Sequence, residues 1–190
     1  MAIRRFSIAE PGVKSNKFWD QDTAQGAMEF IRSTVVSANG TVTLSSIPNT
    51  YQDLILVITA RTDSSSLTSG LLRFNGDTGS NYSSTLLYGT GTAPTSERYS
   101  NESFTRIGYA IGSSQLANVF STQLVQILNY ANTSTNKTVI SRDASDVNGS
   151  GITQLTIGSW RNTAAINSIT YPVTLVAGST VTLYGIKAGA

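Results

Sequence analysis

The chain predicts an all-β sandwich of about ten short strands, preceded by an N-terminal arm that holds at most one short helix. Three observations carry this. Short apolar runs of strand length recur along the chain, and their separators are rich in Gly, Asn, Ser and Pro, the residues turns require. Several runs alternate with a period of two. Ser, Thr, Asn and Gly stand in place of charge, which is only 13% against 39% hydrophobic residues. Disorder pairs low hydrophobicity with high net charge, and neither holds here.

In order, the first 34 residues differ from the rest. In "DQDTAQGAMEFIRS" Asp22 is placed to cap a helix with Gln25 three residues on, and Ala27, Phe30 and Ile31 would share one face. Gly26 weakens that helix by about 1 kcal/mol relative to Ala. Phe6, Ile8, Phe18 and Trp19 add apolar groups to a segment too short for a core of its own. The expected division is therefore 1–34, an anchoring arm, and 35–190, the sandwich. Arg4, Arg5, Phe6, Ile8, Phe18, Trp19, Phe30 and Ile31 are the expected anchoring residues.

From Val35 on, strands are expected at Thr41–Leu44 after the Asn39-Gly40 turn, and at Leu54–Ala60, an apolar run expected to be buried on both faces. Further strands follow at Leu71–Phe74, Tyr82–Tyr88, Thr105–Ile111, Ser121–Tyr130, Lys137–Arg142, Ile152–Trp160, Ile166–Val173 and Thr180–Ile186. In the Ser121 run, Gln123, Val125, Ile127 and Asn129 fall on one side, with Leu124, Gln126, Leu128 and Tyr130 on the other. Thr62–Ser69 and Gly89–Ser103 read as surface loops. About ten short strands without a long helix favour a jelly-roll sandwich, with a Greek-key barrel as the alternative.

Composition narrows function. With no Cys and no His, thiolate sites, disulfides and Ser-His-Asp or Cys-His nucleophiles are excluded. No run of about 18 apolar residues is present to span a bilayer as a helix. The net charge is +2 with Arg4-Arg5 the only adjacent basic pair, a poor footprint for nucleic acid. The opening "MAIRRFSIAEPGVK" has no apolar stretch of signal-peptide type, so synthesis in a cytoplasm is expected.

Four stretches carry candidate chemistry. "FNGDTGSNY" reads as a hairpin connection, with an oxygen site at Asp77 and Asn81 as its alternative. "DASDVNGSG" has Asp146-x-Asn148-Gly149, part of a calcium loop without the closing Glu. Glu97, Glu102, Asp143 and Asp146 are the loop acids, with no spacing that sets two across a cleft as a glycosidase needs. Among the aromatics, Tyr99, Trp160 and the neighbouring Arg161 are the candidate glycan contacts. No catalytic residues, metal site or cofactor are expected.

The phrases "SIPNTYQDLILVITAR", "LLRFNGDTGSNYS", "ILNYANTSTNKTVISRD", "NTAAINSIT" and "STVTLYGIKAGA", with the opening "MAIRRFS", occur in this order. Together they resemble virion structural proteins of tailed bacteriophages, especially those infecting marine cyanobacteria, which are described as tail-fibre-like or capsid-associated. The resemblance implies a jelly-roll module displayed on a particle and joined to it by an N-terminal segment, with no catalytic residues. The expected partners are other virion proteins of the capsid, neck or tail and further copies of the chain, a trimer among the forms. A host surface glycan is the alternative partner. No nucleic acid and no membrane insertion are expected.

Overall fold

A computed structural model describes residues 27–187. Among the described residues there are twelve strands and no helix. They are β1 (Met28–Val35), β2 (Gly40–Leu44), β3 (Asp53–Ala60), β4 (Thr68–Phe74), β5 (Tyr82–Gly89), β6 (Pro94–Glu102), β7 (Thr105–Ala110), β8 (Ser121–Leu128), β9 (Lys137–Asp146), β10 (Gly151–Trp160), β11 (Ile169–Leu175) and β12 (Thr180–Ile186). The strands form two antiparallel sheets. The large one runs β1-β12-β3-β8-β9-β10-β5-β6, and the small one β2-β11-β4-β7. This is a β-sandwich compatible with the jelly-roll class.

All ten expected strands are present, and two more complete the large sheet as its outer edges. β1 lies where the sequence pointed to a helix. The spacing of Phe30 and Ile31 suits a helical face, but Met28, Phe30 and Val35 instead pair along the open edge of β12. A pairing partner outweighs a weak helix propensity already reduced by Gly26. Residues 22–26 of that helix lie outside the described residues. β6 lies in the expected loop at Gly89–Ser103, and only Thr90–Ala93 connects it to β5. It was hidden because it carries almost no apolar residues, as suits an edge strand exposed to pairing with other chains.

The core is built by period-two alternation. Leu54, Leu56 and Ile58 of β3, Val125 and Ile127 of β8, and Val181 and Leu183 of β12 point inward. They meet Leu44, Leu72, Phe74, Ile169 and Leu175 of the small sheet. β3 is buried on that one face only, because Ile55 and Val57 on its other face are half-exposed. In β8 the alternation is as expected up to Leu128. Asn129 then adopts φ 48°, which resets the phase and returns Tyr130 to the core, where its hydroxyl donates to the Pro48 carbonyl.

The connection at 112–120 is organised by Arg61, whose guanidinium donates to the carbonyls of Ser113, Gln115, Leu116 and Val119 at 2.8–3.0 Å. A buried cation is tolerated where its terminal nitrogens are met by carbonyls in this way.

Candidate interaction surface

"FNGDTGSNY" is a crossing between sheets and not a hairpin, since Phe74 ends β4 in the small sheet and Tyr82 begins β5 in the large one. Asn75 at φ 52° and Gly76 at φ 69° make the turn. The Asp77 carboxylate accepts from Gly79 N–H at 2.8 Å, Asn81 Nδ2 at 2.9 Å and Trp160 Nε1 at 2.8 Å. Burial alone would raise its pKa, but the hydrogen bonds from Trp160, Asn81 and Gly79 together hold it below the ordinary value. These partners are all internal. Asp77 and Asn81 serve as a clasp, as the turn reading expects.

The clasp also decides the fate of Trp160. Its ring is 0% exposed, stacks on Tyr82 with centroids 6.2 Å apart, and lies 5.5 Å from Phe74. It has no face to offer a sugar and is a core residue. Arg161 turns outward, where Nη2 donates to Ser80 O at 2.7 Å and to Asn101 Oδ1 at 3.1 Å.

In "DASDVNGSG" the strand period separates the acids. Asp143 points inward and Asp146 outward, three residues apart on β9, so the two cannot share an ion. Asp146 Oδ1 instead accepts Asn148 N–H at 2.8 Å within the β9–β10 turn. Among the described residues no group of three or more acids is placed to hold a metal.

The small sheet covers only part of the large one, and β7 is its edge. Beyond that edge the inner side of β5 and β6 forms a shelf. Tyr88 donates to Glu97 Oε1 at 2.8 Å, and Tyr99 donates to Glu97 Oε2. The hydrogen bonds from Tyr99 and then Tyr88 hold the Glu97 carboxyl below its ordinary value, while Glu97 pushes Tyr99 up to about 12. The Arg106 guanidinium lies 3.8 Å from the Tyr99 ring centre, a cation–π contact, and pairs with Glu102 at 2.9 Å. Sequence reading picked Tyr99 alone from this group. Glu97 was weighed only as one of four loop acids, and Tyr88 and Arg106 were not singled out; the fold gathers the three from β5, β6 and β7.

The outer face of the large sheet is the broader feature. Register places Phe30, Tyr184, Ile55, Gln126, Ile140 and Ile157 in one row across β1 to β10. The next row holds Val57, Leu124, Arg142, Leu155 and Leu87. Phe30 is 60% exposed, Leu87 53% and Ile157 52%, and Ile55, Val57, Leu124 and Ile140 are half-exposed. At one end the β5–β6 turn flanks a groove of about 610 Å³ lined by Leu87, Leu155, Pro94 and Arg142. An antiparallel sheet with one solvated face normally turns polar residues to it. Contiguous apolar area of this kind marks an interaction site. The signal lay in runs apolar in both phases, such as Leu54–Ile58, Leu124–Leu128 and Leu86-Leu87.

Of the expected anchoring residues, Arg4, Arg5, Phe6, Ile8, Phe18 and Trp19 lie outside the described residues. The other two part company. Phe30 joins the outer face, edge-on to Tyr184 with ring centres 6.0 Å apart, and Ile31 packs against the core from the bulge between Phe30 and Arg32.

Searches against protein-family models, curated proteins and solved structures match none of them.

Asp143 yields a pH prediction. Burial pushes it from 3.8 up to about 7, opposed by one hydrogen bond from Tyr109 N–H at 2.9 Å. It packs against Gly108, whose φ of 132° and lack of a side chain make room: a Cβ there would come within 2.4 Å of the carboxyl carbon. Between these two pKa values the native state holds a proton that the unfolded chain has released. Its contribution is therefore fully present below about pH 4 and lost as pH rises towards 7. Wild-type stability should fall by about 3–4 kcal/mol through this group over that range. Asp143→Asn, measured by urea unfolding at several pH values, should remove the slope.

Proposed function

We propose that the protein is a non-enzymatic structural component of a tailed-bacteriophage virion, a compact accessory module carried on the tail or head and held there through its N-terminal segment. The observation that carries this reading is the apolar outer face of the eight-stranded sheet, which spans most of its width and is crossed by very few charges. Such a face suits a module packed permanently among other proteins. The ordered phrases that resemble marine-phage structural proteins supply the setting. The apolar residues of the N-terminal segment, Phe6, Ile8, Phe18 and Trp19, supply the attachment.

β1 sets where the segment is to be cut, since removing residues up to 34 would strip an edge from the large sheet. A chain lacking residues 1–26 should keep wild-type circular dichroism and urea midpoint yet fail to enter particles when produced during infection. Normal occupancy of the truncated chain in purified particles would refute the anchoring role.

A second reading has its own observation. The shelf of Tyr88, Glu97, Tyr99 and Arg106 joins half-exposed aromatic surface to a carboxylate and a guanidinium, the groups that stack on sugar rings and bind hydroxyls. Under it the module is a lectin-like adhesin for a host surface glycan. Glycan-array binding by the full chain, lost in Tyr99→Ala with folding retained, is the expected result. An array without signal removes this reading.

A further inference from the structure

We propose that the outer face of the large sheet is the contact between two copies of this chain, packed face to face about a two-fold axis near Gln126. The proposal rests on the assembly reading above and names the partner that covers the face.

Size is the first argument. Eight strands at about 4.8 Å and seven residues at about 3.4 Å give a face of about 38 by 24 Å, on the order of 900 Å². A stable interface takes about 800 Å² from each partner. A second copy of the same face, crossed at an angle so that about 600 Å² of each overlaps, reaches the lower end of the size range of specific interfaces.

Charge is the second argument. Among the described strand residues four charged side chains stand on this face: Arg142 and Asp53 within its body, Arg98 at the β6 edge, and Asp146 at the far end of β9, where its carboxylate caps the β9–β10 turn. Arg142 is exposed and makes no ion pair among the described residues. Register fixes the positions of Arg142 and Asp53. Gln126 of the central strand β8 lies opposite Ile55 on one side and Ile140 on the other. Arg142 is one strand from Gln126 and two residues beyond Ile140. Asp53 is one strand away on the opposite side and two residues short of Ile55, at the other end of the sheet, where its Oδ1 accepts Asn129 N–H at 2.8 Å and its second oxygen is left for the partner copy. The two opposite charges are thus placed symmetrically about Gln126.

That placement is self-complementary. A two-fold axis lying in the interface, through Gln126 and at right angles to the line from Arg142 to Asp53, sets Arg142 of each copy on Asp53 of the other. An isologous interface requires this reciprocity. From the same spacings the two sets of strands cross at roughly 70°, close to the orthogonal class of sheet packing. Registers that leave Arg142 buried without an acid are disfavoured, because an unpaired charge in an apolar contact loses its hydration without return. Ile55, Ile140 and Ile157 then form the dry centre on each side.

Sedimentation equilibrium of the full-length chain across the micromolar range tests this. The wild type should be a dimer, and Ile157→Lys, a change at a position 52% exposed on the outer face, should be a monomer. Arg142→Asp and Asp53→Lys should each weaken dimerisation at least about tenfold, and the double reversal should recover most of that loss. A monomeric wild type, a trimer, or an Ile157→Lys chain that dimerises as the wild type does would overturn the interface. A dimer whose double reversal recovers nothing would overturn the Arg142–Asp53 pairing. Particle incorporation separates this from the reading beneath it: a monomer that still enters particles refutes only the interface, and a dimer that never enters them refutes only the particle role.

Discussion

The organising constraint is a mismatch of sheets, eight strands against four. A sandwich of equal sheets buries each inner face in the other and leaves the outer faces to water. Here the small sheet reaches from β2 to β7 and stops, so the inner side of β5 and β6 is left as a shelf. The shelf is filled by side chains that contact each other, with two tyrosines on Glu97 and Arg106 on Tyr99. On its other side the large sheet turns isoleucine, leucine and valine to the surface. Hydrophobic burial is the dominant favourable term in folding and association, so this area, uncovered by any of the described residues, is a strong driving force for association.

The connection from Phe74 to Tyr82 holds the sheets in place. It carries the chain from the small sheet to the large one, and the Asp77 carboxylate fastens it to Trp160 at the end of β10. Trp160, Tyr82 and Phe74 then pack as one aromatic group between the sheets. Hydrogen bonds to a charged acceptor contribute about 1.5–3 kcal/mol each where they are shielded from water. The clasp therefore explains why a loop rich in glycine and asparagine contains one acid, whose carboxylate is taken up by internal donors.

Much of this was legible in the chain. Alternation and turn residues located ten strands, and the fold class follows from them. The misses share a cause. β1 and β6 are edge strands, recognisable only by the neighbour they pair with, since the residues of β6 alone read as a polar loop. Trp160 looked like a surface aromatic beside Arg161, and only the distant Asp77, 83 residues away in sequence, shows why its indole nitrogen belongs inside. Tyr88, Glu97 and Arg106 are likewise united by sheet register and not by spacing. The outer face was half visible: runs apolar in both phases announced burial on two sides, and the second side proves to lack a cover within the chain's described residues.

The account therefore turns on whether that second side is buried when the protein associates. Hydroxyl-radical footprinting of Leu155 and Ile157 in the dilute and in the concentrated full-length protein measures it directly. Leu116, which is 50% exposed and lies off the sheet face, is the internal reference. Protection of Leu155 and Ile157 on concentration, with Leu116 unchanged, is the predicted result. Equal labelling of all three at both concentrations would contradict the account.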